Sequence, residues 1–343
     1  MKVRRFLAGM AAVALPTLYA SDALAATYTV FDLPGGDTAP VGINADGDIA
    51  GTYWTAGDGT SGRGFVRSAN GSVATFNVPA ANAGTIVFGI NDAGTAVGYW
   101  SAGLPQAFVR TRDGTIQSYS VPGSNVTIAY AVNASGGFVG NYVTPTGGGG
   151  FVLLADGSLG LAEGETHFYA INAFGDAGGS TALNHPGQKG LIRYRDGTML
   201  TFSVPPGVPA GDQATVTGLN DSGTATGYAE VSCIVCAPRD VRGFVRATDG
   251  TFSVFRVTTG QNQQTNDTRA RAINADGVVV GEYYRSGGRG NAQGFVRDAS
   301  GNITTFNVPR MKATLPTAIN ASGVVTGTCV DVHGTRHGFV RYP

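Results

Sequence analysis

The chain has 343 residues, of which 13% are charged and 53 are glycine. Basic and acidic residues balance at 23 each, so the charge excludes a basic surface of the kind that binds nucleic acid. Glycine recurs beside Val, Ile, Phe and Tyr, and helical periodicity is missing from the body of the chain. This pattern excludes a helical core and favours many short strands joined by tight turns.

The first 25 residues have the features of a signal peptide. Three basic residues precede a mostly apolar stretch, residues 6–19, and Ala23 and Ala25 form a small-x-small cleavage motif. The stretch is shorter than the roughly 20 residues that a membrane span needs. Cleavage after Ala25 removes three basic residues and one acidic residue and leaves a net charge of −2. We therefore expect a secreted or periplasmic protein with no membrane insertion and no nucleic-acid partner.

One phrase recurs seven times in the remaining chain: an aliphatic residue, Asn, two variable residues and Gly, then an apolar run and a second Gly. Its Asn residues are 39 to 54 residues apart, which is the length of a four-stranded propeller blade. Asn bonds main chain two residues on and Gly takes a positive φ, so each phrase predicts a tight turn. The turns begin at Asn44, Asn91, Asn133, Asn172, Asn220, Asn274 and Asn320.

Each repeat predicts four strands, which we call A to D. Strand A ends at the Asn, and strand B is the apolar run that follows the turn. Strand C carries Gly-Phe-Val-Arg or a variant of it, and an Asn-Gly or Asp-Gly pair then predicts a hairpin turn. Strand D reads Thr-Phe-Asn-Val-Pro or similar, as in Thr75–Pro79, and Pro ends the strand because it has no amide to donate.

The termini divide one repeat between them. Seven A–B turns are matched by only six C–D turns, and the chain ends just after its seventh strand C. The missing strand D is found at the other end, where Thr29–Pro34 fits the strand D phrase. The first strand is therefore predicted to complete the last blade and close the ring. The predicted fold is an all-β, seven-bladed propeller that forms one domain over residues 26–343.

Strand C also carries the phrases Gln106-Ala107-Phe108 and His337-Gly338-Phe339. With these and the Ile-Asn-x-x-Gly and Val-Gly-x-Tyr phrases, the chain resembles the HAF-type extracellular repeat proteins of bacteria. The resemblance covers nearly all of the chain after the signal peptide. It implies an exported, β-propeller-like protein, and it carries over no catalytic residue.

A ligand is expected on the face that holds the B–C and D–A loops, because the B–C loops vary while the opposite turns are short and uniform. Aromatic residues end most of the B strands, and their flat rings with polar tips suit sugar rings. The alternative is packing between blades, since strands favour aromatic residues in any case. The predicted ligand-binding residues are Tyr53, Trp54, Tyr99, Trp100, Tyr142, Tyr228, Tyr283 and Tyr284.

One titratable cluster departs from the repeat. Asp331, His333 and His337 lie in the seventh B–C loop and are the candidates for a general base or a metal site. Asn44-x-Asp46-Gly47-Asp48 resembles part of a calcium loop, but it lacks the distal Glu and the other oxygen ligands, so it is interpreted as a turn. We predict no metal and no cofactor.

The cysteines and the repeated arginines have structural interpretations. Cys233 and Cys236 favour a local disulfide over a zinc site in an exported chain, and Cys329 is expected to be unpaired. An Arg at the end of strand C in six repeats indicates pairing with turn carboxylates such as Asp113 or Asp249. The alternative is a ring of cations that binds an acidic polymer.

The sequence leaves three functions open. The first is a binding module that recognises a polysaccharide or an extracellular protein through the B–C and D–A loops. The second is a secreted carbohydrate-active enzyme, a lyase or a hydrolase, and the third is a structural cell-surface protein. Propellers support all of these, so the fold alone does not choose between them. We expect a monomer.

Overall fold

The computed structural model describes residues 26–55, 61–81, 84–181, 187–204, 212–231, 240–258, 267–284 and 292–343. The predicted signal peptide lies outside these residues. The regular structure in the described ranges is 28 β-strands, which form seven four-stranded antiparallel sheets. Among these residues no helix is long and apolar enough to cross a membrane.

The sheets follow one another along the chain as blades. The first strand is β1 (Thr27–Phe31), which belongs to blade 7. Blade 1 contains β2 (Thr38–Ile43), β3 (Ile49–Tyr53), β4 (Arg63–Arg67) and β5 (Val73–Phe76). Blade 2 contains β6 (Thr85–Ile90), β7 (Ala96–Ser101), β8 (Pro105–Arg110) and β9 (Ile116–Tyr119). Blade 3 contains β10 (Val126–Val132), β11 (Phe138–Thr144), β12 (Gly147–Leu153) and β13 (Leu159–Glu163).

The remaining blades repeat this order. Blade 4 contains β14 (Thr166–Ile171), β15 (Ala177–Thr181), β16 (Gly190–Arg193) and β17 (Met199–Phe202). Blade 5 contains β18 (Asp212–Leu219), β19 (Ala225–Val231), β20 (Asp240–Arg246) and β21 (Phe252–Phe255). Blade 6 contains β22 (Asp267–Ile273), β23 (Val279–Tyr284), β24 (Ala292–Arg297) and β25 (Ile303–Phe306). Blade 7 contains β26 (Ala313–Ile319), β27 (Val325–Val330), β28 (Arg336–Tyr342) and β1.

The two ends of the chain meet in blade 7. Strand β1 is strand D of that blade and pairs antiparallel with β28, with Val30 opposite Phe339. The pairing removes the open edge that β28 would otherwise present. The predicted seven blades and the closure of the ring by the first strand are confirmed.

The repeated Asn residues join neighbouring blades as well as closing their own turns. Each is buried, and its side-chain oxygen accepts the main-chain N–H four residues on, as in Thr95 to Asn91 at 2.8 Å. The predicted bond two residues on is present at Asn172, whose Oδ1 also accepts the N–H of Phe174 at 3.1 Å. In six blades the side-chain amide donates to the main-chain carbonyl of the next repeated Asn, at distances of 2.8–3.5 Å. A tight turn thereby also fixes the neighbouring blade, which explains why Asn recurs.

The repeated Arg residues also pack between blades. Arg110 lies over the Phe76 ring of the preceding blade, 4.8 Å from its centroid, and the same contact recurs in four other blades. The sequence predicted turn carboxylates as partners. Asp113 does act on the charge of Arg110, but burial has the larger effect and lowers the pKa of the guanidinium. The ring contact therefore adds cation–π attraction that the sequence analysis missed.

Candidate functional site

The innermost strands set the geometry of the central channel. The A strands of neighbouring blades contact one another around the whole ring. Each of them contains a β-bulge three residues before its Asn. The bulge leaves one extra residue unpaired with strand B. The seven bulge residues are Val41, Phe88, Tyr130, Tyr169, Thr217, Arg271 and Thr317.

A cavity of about 470 Å³ opens beside these bulges, on the side of the B–C and D–A loops. Four bulge residues line it, from blades 4 to 7, so the cavity belongs to the channel and not to one blade. The rest of its wall comes from the A and B strands of blade 5, the B strand of blade 6, the A strand of blade 7 and the B–C loop of blade 4. Its lining includes Tyr169, Thr217, Arg271, Thr317, Tyr228, Glu230, Glu282 and Gln188. We call it the central cavity.

An ion pair lies at the wall of the central cavity. Glu282 is 1% exposed, and Arg271 donates to it from Nε at 2.9 Å and from Nη2 at 2.5 Å. Burial acts to lower the pKa of Arg271, but the charge and hydrogen bonds of Glu282 outweigh it and raise that pKa. The guanidinium therefore stays charged. Its side chain is 36% exposed, and a guanidinium has five N–H donors, so donors remain for a ligand.

A second charged pair accompanies the first. Arg269 lies 3.6 Å from Glu230, and both side chains are mostly buried. The ring of Tyr228 lies beside both arginines, with its centroid 5.1 Å from the guanidinium carbon of Arg269 and 5.9 Å from that of Arg271. The two pairs balance, so the cavity offers many donors and acceptors with little net charge.

An arc of aromatic rings covers another part of the channel wall. The Phe88 and Tyr130 centroids are 4.8 Å apart, and those of Tyr130 and Tyr169 are 5.4 Å apart. Burial raises the pKa of Tyr130 and of Tyr169, so both phenols stay protonated. The channel thus combines aromatic rings from blades 2 to 4 with charged and hydroxyl groups from blades 5 to 7.

A second cavity, of about 730 Å³, lies on the same side of the ring between blades 3 and 4. We call it the blade 3 cavity. Its lining contains the turn between β11 and β12, the turn between β13 and β14, and the side chains of Asn141, Tyr142 and His167. His167 is half-buried, and burial lowers the pKa of its imidazole.

The predicted aromatic residues have different environments. Tyr53, Tyr142 and Tyr283 are 7%, 6% and 0% exposed and contribute to the cores of the ring. Tyr228 lines the central cavity, and the ring of Tyr99 contacts Phe88 with centroids 5.8 Å apart. The half-buried members are Trp54, Tyr99, Trp100, Tyr228 and Tyr284. Ligand binding by these residues stays a prediction.

The titratable cluster of the seventh B–C loop is only partly assembled. His337 lies in β28 and not in the loop. Its Nδ1 lies 2.6 Å from Oδ1 of Asp32, the residue after β1, and its Nε2 lies 3.5 Å from Asp331 Oδ2. His333 is exposed, and its main-chain N–H donates to Asp331 at 2.8 Å. The described residues contain no group of three His, Cys, Asp or Glu side chains that could hold a metal ion.

Cys329 lies opposite His337 in the pairing of β27 with β28, in surroundings that disfavour a thiolate. Its side chain is fully buried, and burial raises the pKa of the thiol to about 12. A thiol with this pKa stays protonated, whereas the thiolate is the reactive form. Cys233 and Cys236, the predicted disulfide, lie outside the described residues.

The sequence predicted Tyr228 as a ligand-binding residue but did not identify the other residues of the central cavity. The position three residues before each Asn holds seven residues of very different size and charge, including Tyr169 and Arg271. The position after the strand B Gly holds Glu282 where other blades have Thr, Tyr, Asn or Ser. Both positions depart from the repeat, and that departure is the signal that would have identified the site.

Comparisons with known proteins support the fold and indicate no function. No family model matches the sequence, and no curated protein matches it. The propeller is similar to part of an acylaminoacyl peptidase of Pyrococcus horikoshii, with a TM-score of 0.58, 8% identity and 90% of this chain covered. It is similar to part of a puromycin hydrolase, with a TM-score of 0.52, 12% identity and 87% covered. The chain spans about half the length of these two proteins (51% and 50%), and the likeness shows the fold alone.

Proposed function

We propose that this protein is an exported propeller of the HAF-repeat type that binds a carbohydrate chain in the central cavity. The observation that carries the proposal is the composition of the channel wall, where Tyr169 and the Arg271–Glu282 pair line one cavity. Aromatic rings offer flat apolar surface, and fixed polar groups orient a ligand. The signal-peptide features of residues 1–25 and the strand C phrases support export.

The charge of the cavity favours a sugar over a strongly ionic ligand. Two arginines are each paired with a glutamate, so a free acid or a free base would find no unbalanced partner. Sugar hydroxyls both donate and accept, and they match the remaining N–H donors of Arg271 and the hydroxyls around it. The volume, about 470 Å³, lies within the range of about 300–1,000 Å³ for small-molecule sites.

Affinity gel electrophoresis tests the proposal. The mature protein is run through gels that contain xylan, dextran, laminarin, alginate or polygalacturonate, and its mobility is compared with that in a gel without polymer. We expect one polymer to retard the protein. Tyr169→Ala should weaken that retardation about tenfold, since an aromatic contact contributes about 0.5–1.5 kcal/mol beyond the area it buries.

Two further variants sharpen the result. Arg271→Lys keeps the charge beside Glu282 but loses the forked donors, so it should also weaken retardation. Tyr194→Ala is the control, because Tyr194 is 38% exposed and lies in a C–D turn on the opposite face. If the wild-type protein migrates in each of the five polymer gels as it does in the gel without polymer, the proposal is overturned. Loss of retardation in the control variant would do the same.

A further inference from the structure

We propose that the binding site continues from the central cavity into the blade 3 cavity, so that the ligand is a linear chain of several sugar units. The inference rests on the proposed function of the central cavity. Both cavities open on the side of the B–C and D–A loops, and each lies within the usual size range of a small-molecule site. The combined volume of two such cavities is larger than the volume that one sugar ring fills.

A pair of parallel rings lies on the strand that lines both cavities. Tyr169 lines the central cavity and His167 lines the blade 3 cavity. Both belong to β14, their ring centroids are 6.3 Å apart, and their planes differ by 6°. The path between the cavities therefore crosses two stacked rings, which is a surface that consecutive sugar units can contact.

The joining rings are held in place by the neighbouring blade. Asn141 of β11 contacts His167 Nδ1 through its amide, and its Oδ1 accepts the main-chain N–H of Phe168 at 3.2 Å. One side chain thus fixes both the imidazole and the strand that carries it. The boundary between the cavities is preorganised, which lowers the cost of binding a chain across it.

Three consecutive glycines line the blade 3 cavity. Gly147, Gly148 and Gly149 of β12 form part of its wall. The other six blades carry Arg, Gln, Lys or His at the position of Gly149, two residues before the Phe-like core residue. Only blade 3 lacks that long polar side chain. The Ala162 carbonyl lies against the buried Gly149, whereas Gly147 is exposed at the wall of the cavity.

The rim of the blade 3 cavity mixes apolar and polar groups. Val143 and Leu161 line it and are 49% and 46% exposed, beside the carboxylate of Glu163. Exposed aliphatic side chains next to hydrogen-bonding groups suit the alternating C–H and hydroxyl surface of a sugar chain. The same chemistry therefore extends over both cavities.

Gly147→Trp tests the path by filling the blade 3 cavity alone. A Cβ placed at Gly147 has nothing within 4 Å, and the residue is not among the positive-φ glycines, so the main chain accepts a side chain at this position. The probes are end-labelled oligosaccharides of one to eight units, prepared from the five polymers of the panel. In the wild-type protein, we expect affinity to rise at least tenfold from the shortest bound oligomer to the plateau.

The variant should lose this dependence on length. We expect Gly147→Trp to bind the shortest oligomer as the wild-type protein does and to bind longer ones no better. Leu161→Arg, which narrows the same cavity from its other wall, should behave alike and serves if the first variant fails to fold. Leu104→Trp is the control, since Leu104 is 56% exposed in the turn between β7 and β8, outside both cavities.

The outcomes separate the two proposals. If wild-type affinity is independent of length, or if both cavity-filling variants bind long oligomers like the wild-type protein, the inference is overturned while the central cavity remains the binding site. If no oligomer or polymer of the panel binds to the wild-type protein, both the inference and the proposed function are overturned.

Discussion

The side-chain amide of Asn320 donates to the main-chain carbonyl of Asn44 at 3.1 Å, across 276 residues of sequence. The bond joins the seventh A–B turn to the first. It connects blade 7 to blade 1 near the channel, whereas the pairing between β28 and β1 completes blade 7 at its outer edge. The inner strands of blades 7 and 1 are thus joined by side-chain bonds, with Thr317 also donating to the Pro40 carbonyl at 3.1 Å, and the outer end of blade 7 is closed by a strand. Because Asn320 and Asn44 are both buried, removal of the Asn320 donor should have a measurable cost.

We expect Asn320→Asp to lower the free energy of unfolding by about 1–3 kcal/mol. The carboxylate still accepts the N–H of Val324, so the turn is retained, but it faces the Asn44 carbonyl without a proton to donate. Urea unfolding followed by fluorescence measures the change. Asn70→Asp is the matched control, because the exposed Asn70 Oδ1 only accepts from Ser72, as Asp would. Equal stability of Asn320→Asp and the wild-type protein would contradict the closure by Asn320.

Removal of one partner of the Arg271–Glu282 pair should lower the free energy of unfolding more than removal of both partners. Glu282→Leu leaves a guanidinium without its carboxylate, which costs about 3–5 kcal/mol when a pair is fully buried. The cost here should be smaller, because the Arg271 side chain is 36% exposed. We expect the double variant Arg271→Met, Glu282→Leu to recover part of the loss.

Urea unfolding of the single and double variants measures both effects. The control is Asp46→Asn, which breaks the pair of Asp46 with Arg112 at 2.7 Å, where the side chains are 62% and 54% exposed. Such an exposed pair contributes about 0–1 kcal/mol. A double variant less stable than Glu282→Leu would show that the pair itself, and not the uncompensated charge, supports the fold.

Gly243→Ala should destabilise blade 5 while Gly147→Ala does not. A Cβ at Gly243 would lie 2.5 Å from the ring of Phe255, which also packs under Arg297 and has little room to move. Overpacking of this kind costs about 1–3 kcal/mol. A Cβ at Gly147 meets nothing within 4 Å, so alanine there should be neutral or slightly stabilising. Melting temperatures compare the two variants, and equal shifts would contradict the role of the Phe255 ring.

The C–D turns should make the protein sensitive to acid. Hydrogen bonds from Thr111 and Thr115 lower the pKa of Asp113, and similar bonds lower the pKa of Asp249. Because each folded-state pKa lies below its unfolded value of about 3.9, the stabilisation is complete above that value and is lost as pH falls through the folded pKa. We expect the melting temperature to be constant above about pH 5 and to decrease below about pH 4. The other turn carboxylates with a lowered pKa are Asp156, Asp196 and Asp298.

Replacement of these turn carboxylates by Asn should reduce the acid sensitivity. Blade 1 already uses Asn70 at this position, where its Oδ1 accepts the N–H of Ser72 at 2.9 Å, so the turn tolerates the change. In a variant with Asn at positions 113, 156, 196 and 249, the melting temperature should decrease less between pH 5 and pH 3 than it does in the wild-type protein. The same decrease in both proteins would show that the acid sensitivity has another source.

The sequence predicts the blades well because their determinants are local. An Asn-x-x-Gly turn, a strand C phrase and a strand D phrase recur at blade length, and the displaced phrase at Thr29–Pro34 predicts the closure. The central cavity is different, because it depends on how strands pair. Arg271 and Glu282 meet only because a bulge shifts the register of β22 against β23. The repeat length already varies from 39 to 54 residues, so it does not reveal the one extra residue of a bulge. Contacts such as Asp32 with His337, 305 residues apart, require the closed ring itself.

The pairing of β1 with β28 has a consequence for the order in which the chain folds. Val30 and Phe339 are neighbours in the sheet, yet almost the whole chain separates them. Contacts of such high sequence separation form slowly, because a very long loop must close before they contribute. The first strand therefore stays without its partner until the last strand has been made. Its binding is the step that converts a curved row of blades into a ring, so we expect ring closure, not blade formation, to limit the rate of folding.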